Sequence, residues 1–273
     1  VFRFQDVEGQ FMAKRVRLVE HGPVRSVVRV DSEYGQSQLR QEFALYPDLD
    51  HIDVRLTVEW REAQRALKLR FPLNLFFIRS VYEVPYGHVE RIATGEEEPG
   101  QAWVDVTGIS HSNNERYGLS ILNDGKYSGD VLLQDMGLTI LRSPIYAHHV
   151  PFEPPPDHAF PIVDQGVQRV SYTLVPHDQS WEETGTVRRA AELNQRPIAL
   201  LATYRPDGAL PQRAGFLSVD RPNIIVSVLK RAEDGNGLIL RAYETDNIAT
   251  RAAIRLEPWD RTIEAKFGPC EIK

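Results

Sequence analysis

Cysteine occurs once in the 273 residues, as Cys270. A single thiol excludes an intramolecular disulfide framework and any metal site built from several cysteines. Long apolar runs are missing too. The longest, "FPLNLFFI" at 71–78, carries Asn74 and falls far short of the roughly 20 residues that a bilayer-spanning helix needs. No N-x-S/T acceptor occurs, and the first residues lack the basic-then-apolar pattern of a secretory leader. These absences point to a cytoplasmic protein with no membrane partner. Positive charge is scarce: 32 Lys and Arg face 38 Asp and Glu, for a net charge of −6, and no dense basic cluster is present. A phosphate-binding face needs such a cluster, so nucleic acid is not expected as a partner. The nucleophile elbow G-x-S-x-G, the P-loop and G-x-G-x-x-G are all absent. The chain begins at Val1 and ends in "FGPCEIK", which reads as a piece of a longer polypeptide.

What is present is strand. In "HIDVRLTVEW" the residues Ile52, Val54, Leu56, Val58 and Trp60 share one face, and His51, Asp53, Arg55, Thr57 and Glu59 share the other. Successive strand side chains point to opposite sides, so this is a strand with a dry face and a wet one. "QLRQEFAL" repeats the pattern with Leu39, Gln41, Phe43 and Leu45, and "LKLRFPL" with Leu67, Leu69, Phe71 and Leu73. Turn signals such as "EYGQ", "YPDLD", "NDGK" and "EDGNG" separate the runs at short intervals. The expectation is an all-β fold, a large two-sheet antiparallel β-sandwich followed by a smaller β-sandwich. One helix is expected, "TVRRAAELN" at 186–194, with Thr184 or Thr186 as its cap. The cut between the two parts falls at "LNQRP", giving domains 1–196 and 197–273, and the proline-rich "VPFEPPPDHAFP" at 150–161 reads as an extended exposed loop.

Residue by residue, the chemistry is thin. His148 and His149 are adjacent, so on an extended chain they face opposite ways and do not share an ion. Neither H-x-x-x-H nor a cysteine pattern is available, so no metal site is expected here. Glu96, Glu97 and Glu98 precede Pro99-Gly100 and read as a solvated turn rather than a glycosidase pair. Trp103 reads as core. Asn123-Asp124-Gly125-Lys126-Tyr127 reads first as a hairpin tip joining 119–122 to 131–133, because Asp-Gly is a strong hairpin signal. "EDGNGL" is expected to turn a second hairpin.

The order of segments says more than any one of them. "GPVRSVVRV", "YGQSQLRQEFALYPDLDHIDVRLTVEWRE", "LKLRFPLN", "YEVPYGHVER", "EEPGQAWVDVTG", "YGLSILNDGKYSGDV", "LTILRSPIYA", "DQGVQRVSYTLVPHDQSW" and "SVLKRAEDGNGLILRAYE" run in an order that resembles the C-terminal β-rich region of glycoside hydrolase family 38, the retaining α-mannosidases. The resemblance spans about Val16 to Lys273. Gln168 and Val170 stand where the family pattern often has histidine and phenylalanine, which leaves that segment a strand without a ligand role.

The resemblance implies a galactose-mutarotase-like supersandwich as the large domain. It also implies a partner in the same polypeptide, an N-terminal α/β barrel and helical domain that carries zinc, the nucleophile and the general acid. No catalytic or metal-ligating residue and no cofactor are expected in this chain. Loops of the β region in such enzymes approach the active-site rim; here the candidates are Tyr86, His88 and Arg91, and Asn123, Asp124, Lys126 and Tyr127. The substrate of the intact enzyme would be a terminal α-linked mannoside. Two rival readings stay open. A self-sufficient aldose epimerase would show a cleft with Glu83 or Glu90 facing His88, or His177 facing another acid. A carbohydrate-binding module would show a platform of exposed aromatics.

Overall fold

The computed structural model describes residues 6–146, 153, 155–201, 207–209 and 211–273. The alternating segments form strands β1 (Met12–His21), β2 (Ser26–Tyr34), β3 (Ser37–Leu45), β4 (Ile52–Trp60), β5 (Ala66–Pro72), β6 (Leu75–Val84), β7 (Gly87–Arg91), β8 (Glu98–Pro99) and β9 (Trp103–Ser110). They continue as β10 (Arg116–Asn123), β11 (Ser128–Leu132), β12 (Asp135–Arg142) and β13 (Gly166–His177). Helices α1 (Trp181–Thr184) and α2 (Thr186–Asn194) follow, then β14 (Leu217–Val219), β15 (Ile224–Arg231), β16 (Leu238–Glu244), β17 (Thr250–Leu256) and β18 (Arg261–Phe267). The fold is all-β, as the patterning predicts.

A nine-stranded sheet in the order β1-β2-β3-β4-β13-β10-β9-β6-β7 packs on a four-stranded sheet, β5-β12-β11-β8. The dry row of β4 lies between them, with Val54, Leu56, Val58 and Trp60 buried beside Ile121, Met136, Ile140 and Tyr172. Gln41, the polar residue in the dry row of β3, donates from Nε2 to the Tyr172 hydroxyl at 2.9 Å, which explains its tolerance there. Leu45 departs from the expected row and is exposed. Strands β14–β18 make a three-stranded and a two-stranded sheet around Ile224, Ala242, Ile254 and Phe267. "EDGNGL" joins β15 to β16 as a hairpin, as expected.

The reverse face of the nine-stranded sheet is also covered, though only in part. Trp103 and Leu122 face away from the inner core and receive α1 and α2. Val187, Ala190 and Leu193, three residues apart, form the buried stripe of α2. Trp181 stacks on Trp103 with ring centroids 5.0 Å apart. Caps differ from expectation. Ser180 caps α1 in a reciprocal box, its Oγ accepting from the Glu183 amide at 3.3 Å while the Glu183 carboxylate accepts from the Ser180 amide at 3.0 Å. Gly185, at φ 71°, both ends α1 and starts α2, so neither Thr184 nor Thr186 is the cap. A left-handed residue between two helices suits glycine, which has no Cβ to clash.

Candidate functional site

The "NDGKY" segment is not a hairpin tip. Strand β10 pairs with β9 and β13 in the large sheet, whereas β11 pairs with β8 and β12 in the small one, so residues 124–127 carry the chain from one layer to the other. Asn123 is buried and spent on this crossing. Its Oδ1 accepts from the amides of Gly125 (3.0 Å) and Lys126 (2.6 Å), and its Nδ2 donates to the Gln101 carbonyl at 2.9 Å. Asp124 is spent as well. Its Oδ2 accepts from the Ser171 amide at 2.9 Å, its own amide donates to the Ser171 carbonyl at 3.1 Å, and Arg196 lies 3.9 Å away. Lys126 and Tyr127 differ: their side chains make no hydrogen bond or ion pair among the described residues, and Tyr127 is 53% exposed.

The other three candidates separate. Arg91 binds Glu98 at 2.6 Å and lies over the Tyr82 ring. The amide of Gly100 donates to the Tyr127 carbonyl at 3.0 Å, so Arg91 and Tyr127 both contact the short segment 98–100. Tyr86 meets Tyr243 edge to face, and His88 places Nδ1 3.2 Å from the Thr245 carbonyl with its ring 4.6 Å from Trp181. Both are thereby committed to packing between the large sheet and the strands after residue 217.

The glutamate run is not a solvated turn either. Glu97 is buried, ion-paired to Lys68, and accepts from Ser128 Oγ at 2.6 Å and from Thr139 Oγ1. Lys68 also meets Asp130, which Arg70 binds at 2.8 Å. A Cβ at Gly137 would overlap Asp130 and Arg70, so the bare backbone there is what lets this charged cluster lie flat on the sheet. Only Glu96 of the three faces solvent without an ion pair among the described residues.

The rival geometries can be read directly. Glu83 and His88 are register partners in β6 and β7, but the Glu83 carboxylate accepts from the Ala102 amide at 2.6 Å and His88 turns to Thr245. Burial pushes Glu83 up to about 6. Glu90 is held by Arg79 at 2.7 Å. His177 does face an acid. Its Nε2 lies 2.7 Å from Asp105 Oδ2, and Nδ1 lies 2.9 Å from the Gln179 carbonyl. An oxygen at each ring nitrogen favours the doubly protonated imidazole. Burial alone would lower its pKa; the bond and charge of Asp105 outweigh this and raise it. Asp105 also accepts from Ser120 Oγ and Thr107 Oγ1, both at 2.7 Å, and Ser120 reaches Thr186 of α2 at 2.9 Å. The side chains of His177 and Asp105 are 4% and 1% exposed. No sugar reaches this pair; it locks the helices to the sheet. Sequence reading named His177 facing an acid but not which acid, because Asp105 is 72 residues away in the chain. A usable signal was Gly118, opposite His177 in the register, whose missing Cβ leaves room for the ring.

Among the described residues, the ring pairs of exposed Phe77 and exposed Tyr86 form no flat platform. Phe76–Phe77 and Tyr86–Tyr243 both meet edge to face, not side by side. Among the described residues no group of three or more His, Cys, Asp or Glu side chains is placed to hold a metal ion. His148 and His149, and much of the proline-rich loop, lie outside the described residues. A cavity of about 900 Å³ lies between α2, the 46–51 turn and the open face of β4 and β13. A smaller one of about 430 Å³ adjoins it and shares Asp50, Thr184 and Arg189.

Residues 4–158 match the model of the glycosyl hydrolases family 38 C-terminal domain, and residues 223–271 match that of the glycosyl hydrolases family 38 C-terminal beta sandwich domain. The chain is 29% identical over 247 residues to alpha-mannosidase G of Dictyostelium discoideum, covering 86% of this chain and 21% of that protein. It is 28% identical over 219 residues to human alpha-mannosidase 2C1, covering 76% of this chain and 19% of that protein. The chain thus spans about a fifth of the length of these curated relatives. The crystal structure of an alpha-mannosidase from Enterococcus faecalis V583 superposes with a TM-score of 0.77 over 96% of this chain and 34% of that one, at 16% identity.

Proposed function

Because this chain belongs to the glycosyl hydrolases family 38 C-terminal domain family, we propose that it is the non-catalytic β region of a retaining α-mannosidase acting on terminal α-linked mannose. The observation that carries the reading is the match over residues 4–158, joined to a chain whose shortest histidine–acid contact among the described residues is sealed from solvent, while His51 stands 3.7 Å or more from Asp50 and Asp53. Chemistry then belongs to other parts of the polypeptide, a catalytic barrel and a helical domain against which this region packs. Zinc, bound there, supplies a clamp for sugar hydroxyls. Among the described residues no group of three or more His, Cys, Asp or Glu side chains is placed to hold a metal.

Within this reading the chain divides at residue 196. Every strand of the two large sheets precedes that point, and β14–β18 follow it. Lys126, Tyr127 and Arg91 remain the rim candidates, since their surroundings leave the first two free and place the third on the same segment. Asn123, Asp124, Tyr86 and His88 serve the architecture. We place the protein in the cytoplasm as part of mannose metabolism, on the single cysteine and the absence of a long apolar run; no described helix is long and apolar enough to cross a membrane.

The test uses the full-length protein. Hydrolysis of an aryl α-mannoside, followed by NMR from the first turnover, is expected to release α-mannose before mutarotation. First release of the β anomer, or no turnover of any α-mannoside, overturns the proposal.

A further inference from the structure

Helices α1 and α2 roof only part of the reverse face of the nine-stranded sheet. Beside them the faces of β4 and β13 stay open as the larger cavity, walled on its far side by the 46–51 turn. We propose that this trench is a second, non-catalytic site that binds a neutral, unbranched oligosaccharide.

Size and charge both point that way. About 900 Å³ lies within the roughly 300–1,000 Å³ range of ligand pockets. Four arginines and four carboxylates line it, so neither an anion nor a cation finds a net attraction. Arg55 and Arg188 are exposed and have no ion-pair partner among the described residues, and the same holds for Asp48 and Glu192. Free donors and free acceptors facing one space suit vicinal hydroxyls, which give and take hydrogen bonds at once. Leu49, half exposed at the turn, adds an apolar contact for sugar C–H groups.

The trench also continues. The bidentate pair of Arg189 and Asp50, at 2.6 and 2.8 Å, crosses it, and beyond lies the cavity of about 430 Å³ lined by Tyr117. The Tyr117 ring is exposed and offers a stacking face. Thr184 lines both cavities, and its Oγ1 is buried with no partner. The shape is that of two linked subsites, which asks for a chain of sugars rather than a monosaccharide.

The choice of mannose as the first sugar to try rests on the proposed mannosidase reading; the trench itself does not. The 273-residue chain is titrated, with backbone amide shifts followed by NMR, using an unbranched α-linked mannotetraose, an unbranched glucose tetrasaccharide and inorganic phosphate. Saturable shifts at Ser171, Arg188 and Tyr117 are expected, with a Kd on the order of 1 mM. The double variant Arg55→Ala/Arg188→Ala and the single variant Tyr117→Ala should each weaken binding about tenfold with unchanged melting. Saturation by the glucose tetrasaccharide alone supports the trench and counts against mannose as the enzyme's sugar. The inference is overturned if neither sugar saturates by about 20 mM, if phosphate binds more tightly than both, or if both variants bind as the parent does.

Discussion

Replacing His177 with glutamine removes a buried cation while keeping one donor for Asp105. Breaking a buried ion pair by deleting one partner costs about 3–5 kcal/mol, and the retained donor places His177→Gln near 3 kcal/mol at pH 6. The pH dependence is the sharper part. The folded pKa of His177 is raised above its ordinary 6.5, so below about pH 6.5 both states are protonated and the pair contributes in full. As pH climbs through the raised folded value, the folded imidazole gives up its proton and that contribution is lost. The stability gap between parent and variant should therefore narrow between pH 6 and pH 9. Urea unfolding followed by tryptophan fluorescence reads this region, because Trp181 stacks on Trp103 over the same sheet face. A gap that stays flat with pH, or widens as pH rises, would refute the doubly protonated imidazole.

Other outcomes follow from single contacts. Glu83, pushed up from 4.5 to about 6 by burial, binds a proton in the folded state that the unfolded chain has released, so stability falls as pH rises through 6. Glu83→Gln should match the parent at pH 4 and exceed it by up to about 2 kcal/mol at pH 8 in thermal melts; a less stable variant at pH 8 contradicts this. Gly137→Ala forces a methyl group against Asp130 and Arg70 and should cost about 1–3 kcal/mol in urea unfolding, where a neutral result would mean the cluster relaxes freely. Trp181→Ala should cost about 3–5 kcal/mol and release the helices from the sheet, read as new proteolysis within 181–194; an unchanged digestion pattern would rule that out.

Much of the fold was legible because period two is a local property. Val54, Leu56, Val58 and Trp60 declare their face without reference to any partner, and they line the inner core. Helix α2 was legible from the run "TVRRAAELN", but its cap was not, since Gly185 rather than Thr184 or Thr186 starts it. What failed was pairing. Asp124-Gly125 turns the chain tightly whether the next strand lies beside the last or in another layer, and nothing local distinguishes the two. Glu97 looks solvated until Lys68, 29 residues earlier, is laid against it. Asp105 and His177 become neighbours only once β10 lies between β9 and β13. The candidate residues divided along the same line, since His88 is taken up by Thr245, 157 residues away, and Asn123 Nδ2 by Gln101, 22 residues away.

The division of labour at the centre of this account is tested most directly by incubating the purified 273-residue chain, alone and with added zinc, with an aryl α-mannoside beside the full-length protein. Turnover by the full-length protein and none by the isolated chain is the predicted result. Hydrolysis by the isolated chain would mean that it holds a reaction centre of its own.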